Sequence, residues 1–345
     1  MLRRRLRFPC SASGPVGPLI LCKVAFLIGL GWVLAACADP DPDGVPRTNL
    51  ITGSTGSSWY TIGAAIAERT NVQFPGYPLM GVPGAGGVSN PARVARLGDD
   101  LGITHLPFLR AAYRGTEPYR EPLTSLRHVA TLIENKFHLI IADRLDVDGF
   151  EEILQRRLPV RIGTGPPGSG EEFLLREIME ELGTTVEDFQ GWGGRLDLLG
   201  TGQRADAWRD NHIDVIVFSI NEPASVVSEM LHSRAARIWP VPQEVMERLK
   251  EDWGVVPSAF AGGTYAGHPD PVPTIALPAA IFGTEEVDDR IIYEMVRTIA
   301  EGKLYLETVH AGFQAWIPEM MVESAGVPHH PAAERYFRER GWLEP

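Results

Sequence analysis

From Val160 to Gly183 the chain reads VRIGTGPPGSGEEFLLREIMEELG: a strand-like run, a glycine-rich turn, then a run with helical period. Phe173, Leu174, Ile178 and Leu182 fall on one face at helical spacing. A turn of this kind leaves backbone N–H groups uncovered at the helix N-terminus, where partial positive charge and unpaired donors suit an anion. The same succession recurs. NLITGSTGSSWYTIGAAIAERT predicts a strand at 49–52, a Gly/Ser turn, and a helix from near Trp59 with Ile62 and Ile66 on one face. YPLMGVPGAGGVSNPARVARLGDD repeats it, with Ser89 or Asn90 placed to cap the helix. LGITHLPFLRAAYRG is a third strand with His105 and Phe108 at its end. Strands that alternate with helices argue for an open α/β sheet with functional loops at the strand C-terminal ends. No period of 20–50 residues marks a solenoid.

Gly163-Thr164-Gly165-Pro166-Pro167-Gly168 is literally G-x-G-x-x-G. A dinucleotide fingerprint wants an acid about 20 residues on, at the end of the next strand. Asp188 stands near that distance, but DFQGW offers little strand after it, and the two prolines stiffen the turn. A phosphate loop wants Lys after its last glycine; Glu171 and Glu172 follow Gly170 and would repel a triphosphate. A small carboxylate in the cradle and a plain strand-to-helix loop with dipole-matching glutamates both remain open on this loop alone.

The chain has 345 residues, enough for two lobes. Its first 36 are different material. Arg3, Arg4, Arg5, Arg7 and Lys23 precede any acid, and Val24 to Ala36 is an unbroken apolar or small run of 13 residues. That is short for a membrane span and suits a signal-peptide core. It ends Leu34-Ala35-Ala36-Cys37, which resembles a bacterial lipobox and implies cleavage before Cys37 and lipid on its sulfur. Residues 1–36 are read as leader and 37–48, rich in Pro and Asp, as an extended tether. All three cysteines lie at or before Cys37, so the body has none for disulfides or thiolate metal sites. Removing the five basic residues takes the formal net charge from −12 to −17. So acidic a body is a poor nucleic-acid ligand and meets membranes only through its anchor.

The pattern then restarts. HVATLIENKFHLIIA holds two strand-like halves around Glu134-Asn135-Lys136; LPVRIGTG, DFQGWGG, IDVIVFS and ARIWPV read as strands, and VPTIALPAAIFG as another apolar strand. The organisation predicted is lobe I at 49–138 with 245–345, and lobe II at 139–244, each offering a glycine-rich turn at a helix start. In order along the chain, GSTGSSWYTIG, GAGGVSN, AAYRG, GPPGSG, AGGTYAG, VPTIALPA and HHPAAERYFRERG resemble the TAXI solute-binding proteins, the TRAP-associated extracytoplasmic receptors, over roughly Leu50 to Trp342. The resemblance implies a two-lobed, type II periplasmic-binding-protein fold with the ligand cleft between lobes. It implies a binding protein rather than an enzyme, lipid-anchored on the outer face of a bacterial membrane or in the periplasm. It further implies delivery of a glutamate-like amino acid, keto acid or dicarboxylate to a TRAP permease. A sensor subunit signalling to a membrane kinase is the alternative. Departures bear on the ligand: Ser57, Ser58 and Trp59 stand where the family has Gly, Thr and Tyr, Gly87 where it has Ser, His105-Leu106-Pro107 where it has Gln-Ser-Asp, and Glu171 where it has Thr.

The candidate ligand-binding residues follow. Ser54, Thr55, Ser57 and Ser58 offer hydroxyls and N–H groups, or only cap a helix. Trp59 and Tyr60 wall a cleft or pack in a core. Asn90 suits a carboxylate or an amine, or caps. His105 pairs with a carboxylate or is a satisfied structural histidine. Glu134, at the lobe junction, holds an amino group or a hinge salt bridge. Gly168, Ser169 and Gly170 form the second cradle, where Ser169 and Gly170 match the family motif; Glu171 is a contact or a first-turn dipole residue. Ser219 follows the strand IDVIVF. No G-x-S-x-G supplies a nucleophile elbow. His329-His330 with Glu334 is flanked by Pro328 and Pro331 and belongs to the C-terminal segment, so no metal, cofactor or catalytic residue is expected.

Overall fold

The computed structural model describes residues 47–76 and 78–344. The leader, the lipobox with Cys37 and nearly all of the tether lie outside the described residues.

The sheet begins with β1 (Thr48–Ile51), β2 (Leu79–Val82) and β3 (Leu101–His105), joined through the helices Ser58–Gln73 and Ser89–Leu97. These three strands run parallel, with β1 in the middle. β4 (Leu126–Ala142) follows, then β5 (Arg161–Thr164), β6 (Arg195–Leu198) and β7 (Val215–Ile220), with the helices Gly170–Glu181 and Thr201–Arg209 between them. β5 pairs β6 and β7 in parallel. β8 (Ala236–Ile238), β9 (Val256–Phe260) and β10 (Val272–Thr284) complete a ten-stranded sheet whose main path is β2-β1-β3-β10-β4-β7-β5-β6. The two parallel sets thus flank a central antiparallel pair, β4 and β10.

β4 is one strand of 17 residues, not two halves around Glu134-Asn135-Lys136. Its continuity has a local cause. Lys136 faces Ala276, Asn135 faces Leu277 and Glu134 faces Pro278, so the polar triplet keeps its ladder to β10. Side chains alternate across a strand, which turns Asn135 to one face and Glu134 with Lys136 to the other. An irregularity between Pro278 and Ala280 absorbs the register mismatch, as bulges do in bent strands.

A second expectation also needs correcting. DFQG is helical, in Val186–Gly191 with Trp192 as C-cap, and the strand comes only at Arg195–Leu198. Thr185 accepts from Asp188 N at 3.0 Å while the Asp188 carboxylate accepts from Thr185 N at 3.2 Å. That reciprocal capping box satisfies two orphan donors and starts a helix. Val186 and Phe189 are its buried residues.

Separate apolar clusters lie about the sheet. Leu50, Ile103, Val129, Ile281 and Ile292 belong to one. Leu139, Ile162, Leu174, Val217 and Leu277 belong to another. Because β4 and β10 contribute to both, the central pair ties the two parallel sets together.

Candidate functional site

Three helix N-termini converge beside the central pair. The first belongs to Ser58–Gln73, where Ser57 is the N-cap with extended backbone and its Oγ accepts from Tyr60 N at 3.3 Å. The second belongs to Gly170–Glu181, where Ser169 caps and its Oγ accepts from Glu172 N at 3.3 Å. The third opens Thr201–Arg209. Between them lies a cavity of ≈ 40 Å³. Of the residues singled out in the sequence, Ser54, Ser57, Ser58, Trp59, His105, Ser169, Gly170, Glu171 and Ser219 line it.

His105 is the end residue of β3 and is 2% exposed. Neither ring nitrogen has a hydrogen-bond partner among the described residues. Burial pushes its pKa down to about 3, so the imidazole is neutral at neutral pH. Its ring stands 4.6 Å from that of Trp59 and 5.7 Å from that of Phe108, centroid to centroid. Glycine is required on both sides of it. A Cβ on Gly87 would come 2.9 Å from His105 Nδ1, and one on Gly170 2.8 Å from Cε1.

A hydrogen-bond network holds the floor. The Trp59 indole donates to Asn135 Oδ1 at 2.9 Å, and Asn135 Nδ2 donates to the Ser219 carbonyl at 2.9 Å. Asn221 Nδ2 also donates to Asn135 Oδ1, while Ser58 Oγ donates to Asn221 Oδ1 at 2.7 Å. Ser219 Oγ is buried without a partner among the described residues.

The cavity's cation is Arg204, which the sequence reading missed. It is 1% exposed and donates to the Val217 carbonyl at 2.6 Å and to Glu171 Oε1 at 2.8 Å. Its guanidinium lies 4.5 Å from the Phe218 ring centroid, and its Nε has no partner among the described residues. Burial lowers its pKa while Glu171 opposes that shift. Arg204 sits in GTGQRADAWRD, whose Gly200 and Gly202 stand between a strand and a helix but were not singled out. Only the topology, which sets β5 beside β7, brings this helix to Glu171. Thr201 was missed for the same reason, although its position one residue past Gly200 resembles the other turns.

The remaining candidates stand elsewhere. Asn90 is buried, and its Nδ2 donates to the carbonyls of Thr52 at 2.9 Å and Ile103 at 2.8 Å. It stitches β1 to β3, and Val88 rather than Asn90 or Ser89 is the N-cap of that helix. Thr55 is exposed and Tyr60 half-buried, both outside the cavity lining. Gly168, at φ 80°, offers its carbonyl to Val88 N and Ser89 N, each at 3.0 Å. It therefore links the two glycine-rich loops across the cavity mouth, as Ser54 Oγ and Thr201 Oγ1 do at 3.3 Å. Glu134 is on the far face of β4, and burial raises its pKa, against the pull of Lys136. In the C-terminal segment His330 caps the helix Pro331–Glu339, and His329 Nδ1 lies 3.0 Å from His128 Nδ1. Among the described residues no group of three or more His, Cys, Asp or Glu is placed to hold a metal ion.

Chemically, the site offers three positive helix ends, one buried cation with a carboxylate already on it, a neutral imidazole and a free hydroxyl. Such groups have the chemistry to hold an acidic group by charge-assisted hydrogen bonds.

The NMT1-like family model matches residues 50–341. Among solved structures, MatC from Rhodopseudomonas palustris with bound malate is 14% identical, with a match covering 86% of this chain and 99% of that one at a TM-score of 0.53. The periplasmic binding protein BugD is 10% identical over 86% of this chain and 95% of its own, at 0.54. A further protein described as a periplasmic transporter is 13% identical over 86% and 93%, at 0.51. At these identities the likeness is one of fold: a mixed α/β fold of the type II periplasmic-binding-protein kind.

Proposed function

The chain belongs to the NMT1-like family, and from that premise we propose that it is an extracytoplasmic solute-binding receptor. It captures a small organic acid (a glutamate-like amino acid, a keto acid or a dicarboxylate) and hands it to a TRAP-type membrane permease. The observation that carries the reading is the convergence of three helix N-termini and the buried Arg204 on one small cavity, with His105, Ser219 Oγ and Arg204 Nε unpartnered around it. The narrower kinship, with the TAXI receptors, rests on the seven motifs in order along the sequence.

In this reading residues 49–138 with 245–345 form one lobe and 139–244 the other, and β4 with β10 is the hinge. The hydrogen bonds of Gly168 O to Val88 N and Ser89 N, and of Ser54 to Thr201, are the latches of the closed state. Magnitudes favour closure as part of binding. Micromolar affinity needs about 8 kcal/mol. A helix N-terminus contributes about 0.3–1 kcal/mol to an anion, up to ~2 when partly buried. A hydrogen bond to a charged group adds about 1.5–3 kcal/mol. Three helix ends and one guanidinium approach the target only when water is excluded.

A thermal-shift screen of amino acids, keto acids and dicarboxylates tests the reading. A ligand at 100 times its Kd stabilises the fold by about 2.7 kcal/mol. Stabilisation by nucleotides or metal cations alone would overturn it. The anchor belongs to the same proposal: Cys37 carries lipid after cleavage, and mass spectrometry of the mature protein from membranes reads this directly. A mature N-terminus elsewhere, without lipid, removes the anchor from the proposal.

A further inference from the structure

The alternation along β4 that sends Asn135 into the cavity sends Glu134 and Lys136 to the opposite face. There a second concavity of ≈ 990 Å³ runs along the back of the central pair. Its walls come from distant parts of the chain. One is the segment 311–323; the other includes Glu222, Pro223, Ala261 and Thr264. The floor is apolar, with Leu132, Pro278, Ala315, Trp316 and Val322, and Met320 stands at the rim 46% exposed. Ile317, three residues earlier and outside the lining, is 51% exposed.

The charge on this groove is one-sided. Glu134, Glu222, Glu319 and Glu323 line it against the single base Lys136. That base is already engaged: its ammonium pairs with Glu222 and donates to the Ala259 carbonyl at 2.7 Å. The acids left over face an apolar floor open to solvent.

We propose that the rear groove is a docking surface for a cationic amphipathic helix of a partner protein. The apolar stripe of that helix lies over Pro278, Val322 and Met320, and its basic residues face Glu134 and Glu319. Charge complementarity selects this occupant. Apolar anchors in a groove with a charged rim supply affinity and orientation respectively. The proposal goes beyond the cavity on the other face of β4 and does not depend on what that cavity binds.

The test uses a synthetic 18-residue Leu/Lys peptide with leucines at helical spacing, a scrambled peptide of the same composition, and a Leu/Glu counterpart. Binding to the full mature protein is followed by fluorescence anisotropy at fixed salt. The expected result is saturable binding of the periodic Leu/Lys peptide, at least tenfold weaker for the scrambled one and undetectable for the Leu/Glu one. Met320→Ser and the double variant Glu134→Gln/Glu319→Gln each weaken it at least tenfold, with unchanged circular dichroism. Glu247→Gln/Glu251→Gln, on the remote helix Gln243–Trp253, leaves it unchanged and controls for the acidic body as a whole. Equal binding of the scrambled peptide, or groove variants no weaker than the remote pair, overturns the proposal.

Discussion

Arg204 and Glu171 form the one buried ion pair in the cavity wall, and removing either side chain alone is the sharpest test of how the wall is held. The Arg204 side chain is 1% exposed and that of Glu171 14%, with 2.8 Å between Nη2 and Oε1. In Arg204→Met three groups lose a donor: the Glu171 carboxylate, the Val217 carbonyl and Thr201 Oγ1, the last of which keeps its contact with Ser54 Oγ. Breaking a buried pair on one side costs about 3–5 kcal/mol. The residual exposure of Glu171 lets water relieve part of that, so the expected loss is near 3 kcal/mol. Glu171→Leu strands the guanidinium, which has less access to water but keeps its bond to Val217, and a similar loss follows. In Glu171→Leu/Arg204→Met the buried charges go together. What remains is one unsatisfied carbonyl, about 1–3 kcal/mol. The double variant is therefore more stable than the sum of the singles by about 3 kcal/mol or more, at the upper end of the coupling found for contacting residues. Urea denaturation of the four proteins, compared at unchanged m-value, reads this directly. Singles that each lose less than about 1 kcal/mol, or losses that add within about 0.5 kcal/mol, would refute the reasoning and remove the pair as an organiser of the wall.

Other outcomes follow from the same geometry. Gly170→Val sets a branched side chain against His105, whose Cε1 already lies 2.8 Å from where a Cβ would stand; the fold is to survive with a loss of about 1–3 kcal/mol. Calorimetric titration with the acid found by screening is to show binding abolished, and unchanged affinity takes this loop out of the site. Ser169→Ala removes the acceptor for Glu172 N and is expected to cost about 0.5–2 kcal/mol in urea denaturation; no change there means the cap contributes nothing. His105 binds a proton in the unfolded chain near pH 6.5 but in the fold only near 3, because burial disfavours its charged form. The depressed value means that its stabilising contribution is complete above about pH 6.5 and is lost as pH falls towards about 3, at up to about 1.4 kcal/mol per pH unit. His105→Asn is to show a shallower fall in stability over that window, and parallel curves for the two proteins contradict the assignment.

Much of the first cradle was legible because its signals are local. Ser57, for which capping was one of two readings, does cap its helix, and Ser169, read as a ligand contact of the second cradle, is a cap as well. The single-letter pattern cannot tell a cap from a contact. Asn90 is the instructive case: a polar residue after a glycine turn resembles a ligand group, yet its amide is consumed by carbonyls of β1 and β3 neighbours. Arg204 shows the opposite limit. Its role depends on β5 lying beside β7 and on Glu171 facing it, contacts distant in sequence and invisible to local spacing. The continuity of β4 was hidden likewise, because Glu134-Asn135-Lys136 resembles a turn until its partners on both sides are known. DFQGWGG was read as a strand, whereas the capping pair at Thr185 and Asp188 starts a helix there.

The central pair also has a consequence for the order in which the molecule can be made. β3 takes β10 as its neighbour, with His105 opposite Ala279, and β4 pairs β10 from Leu126 to Lys136. Everything from residue 143 to residue 271 is synthesised between those partners. A chain emerging from its N-terminus thus holds β1 to β4 with one side of β3 and β4 unpaired, until the last quarter of the chain supplies β10. Such long-range pairing is entropically deferred and slow, and an unpaired apolar edge in the meantime invites association between nascent chains. The segment containing β5, β6 and β7 meets no such delay among its own strands, because the parallel neighbours β5, β6 and β7 are complete by Ile220. Folding is therefore expected to start inside the inserted segment and to finish with the strand that closes the sheet around it.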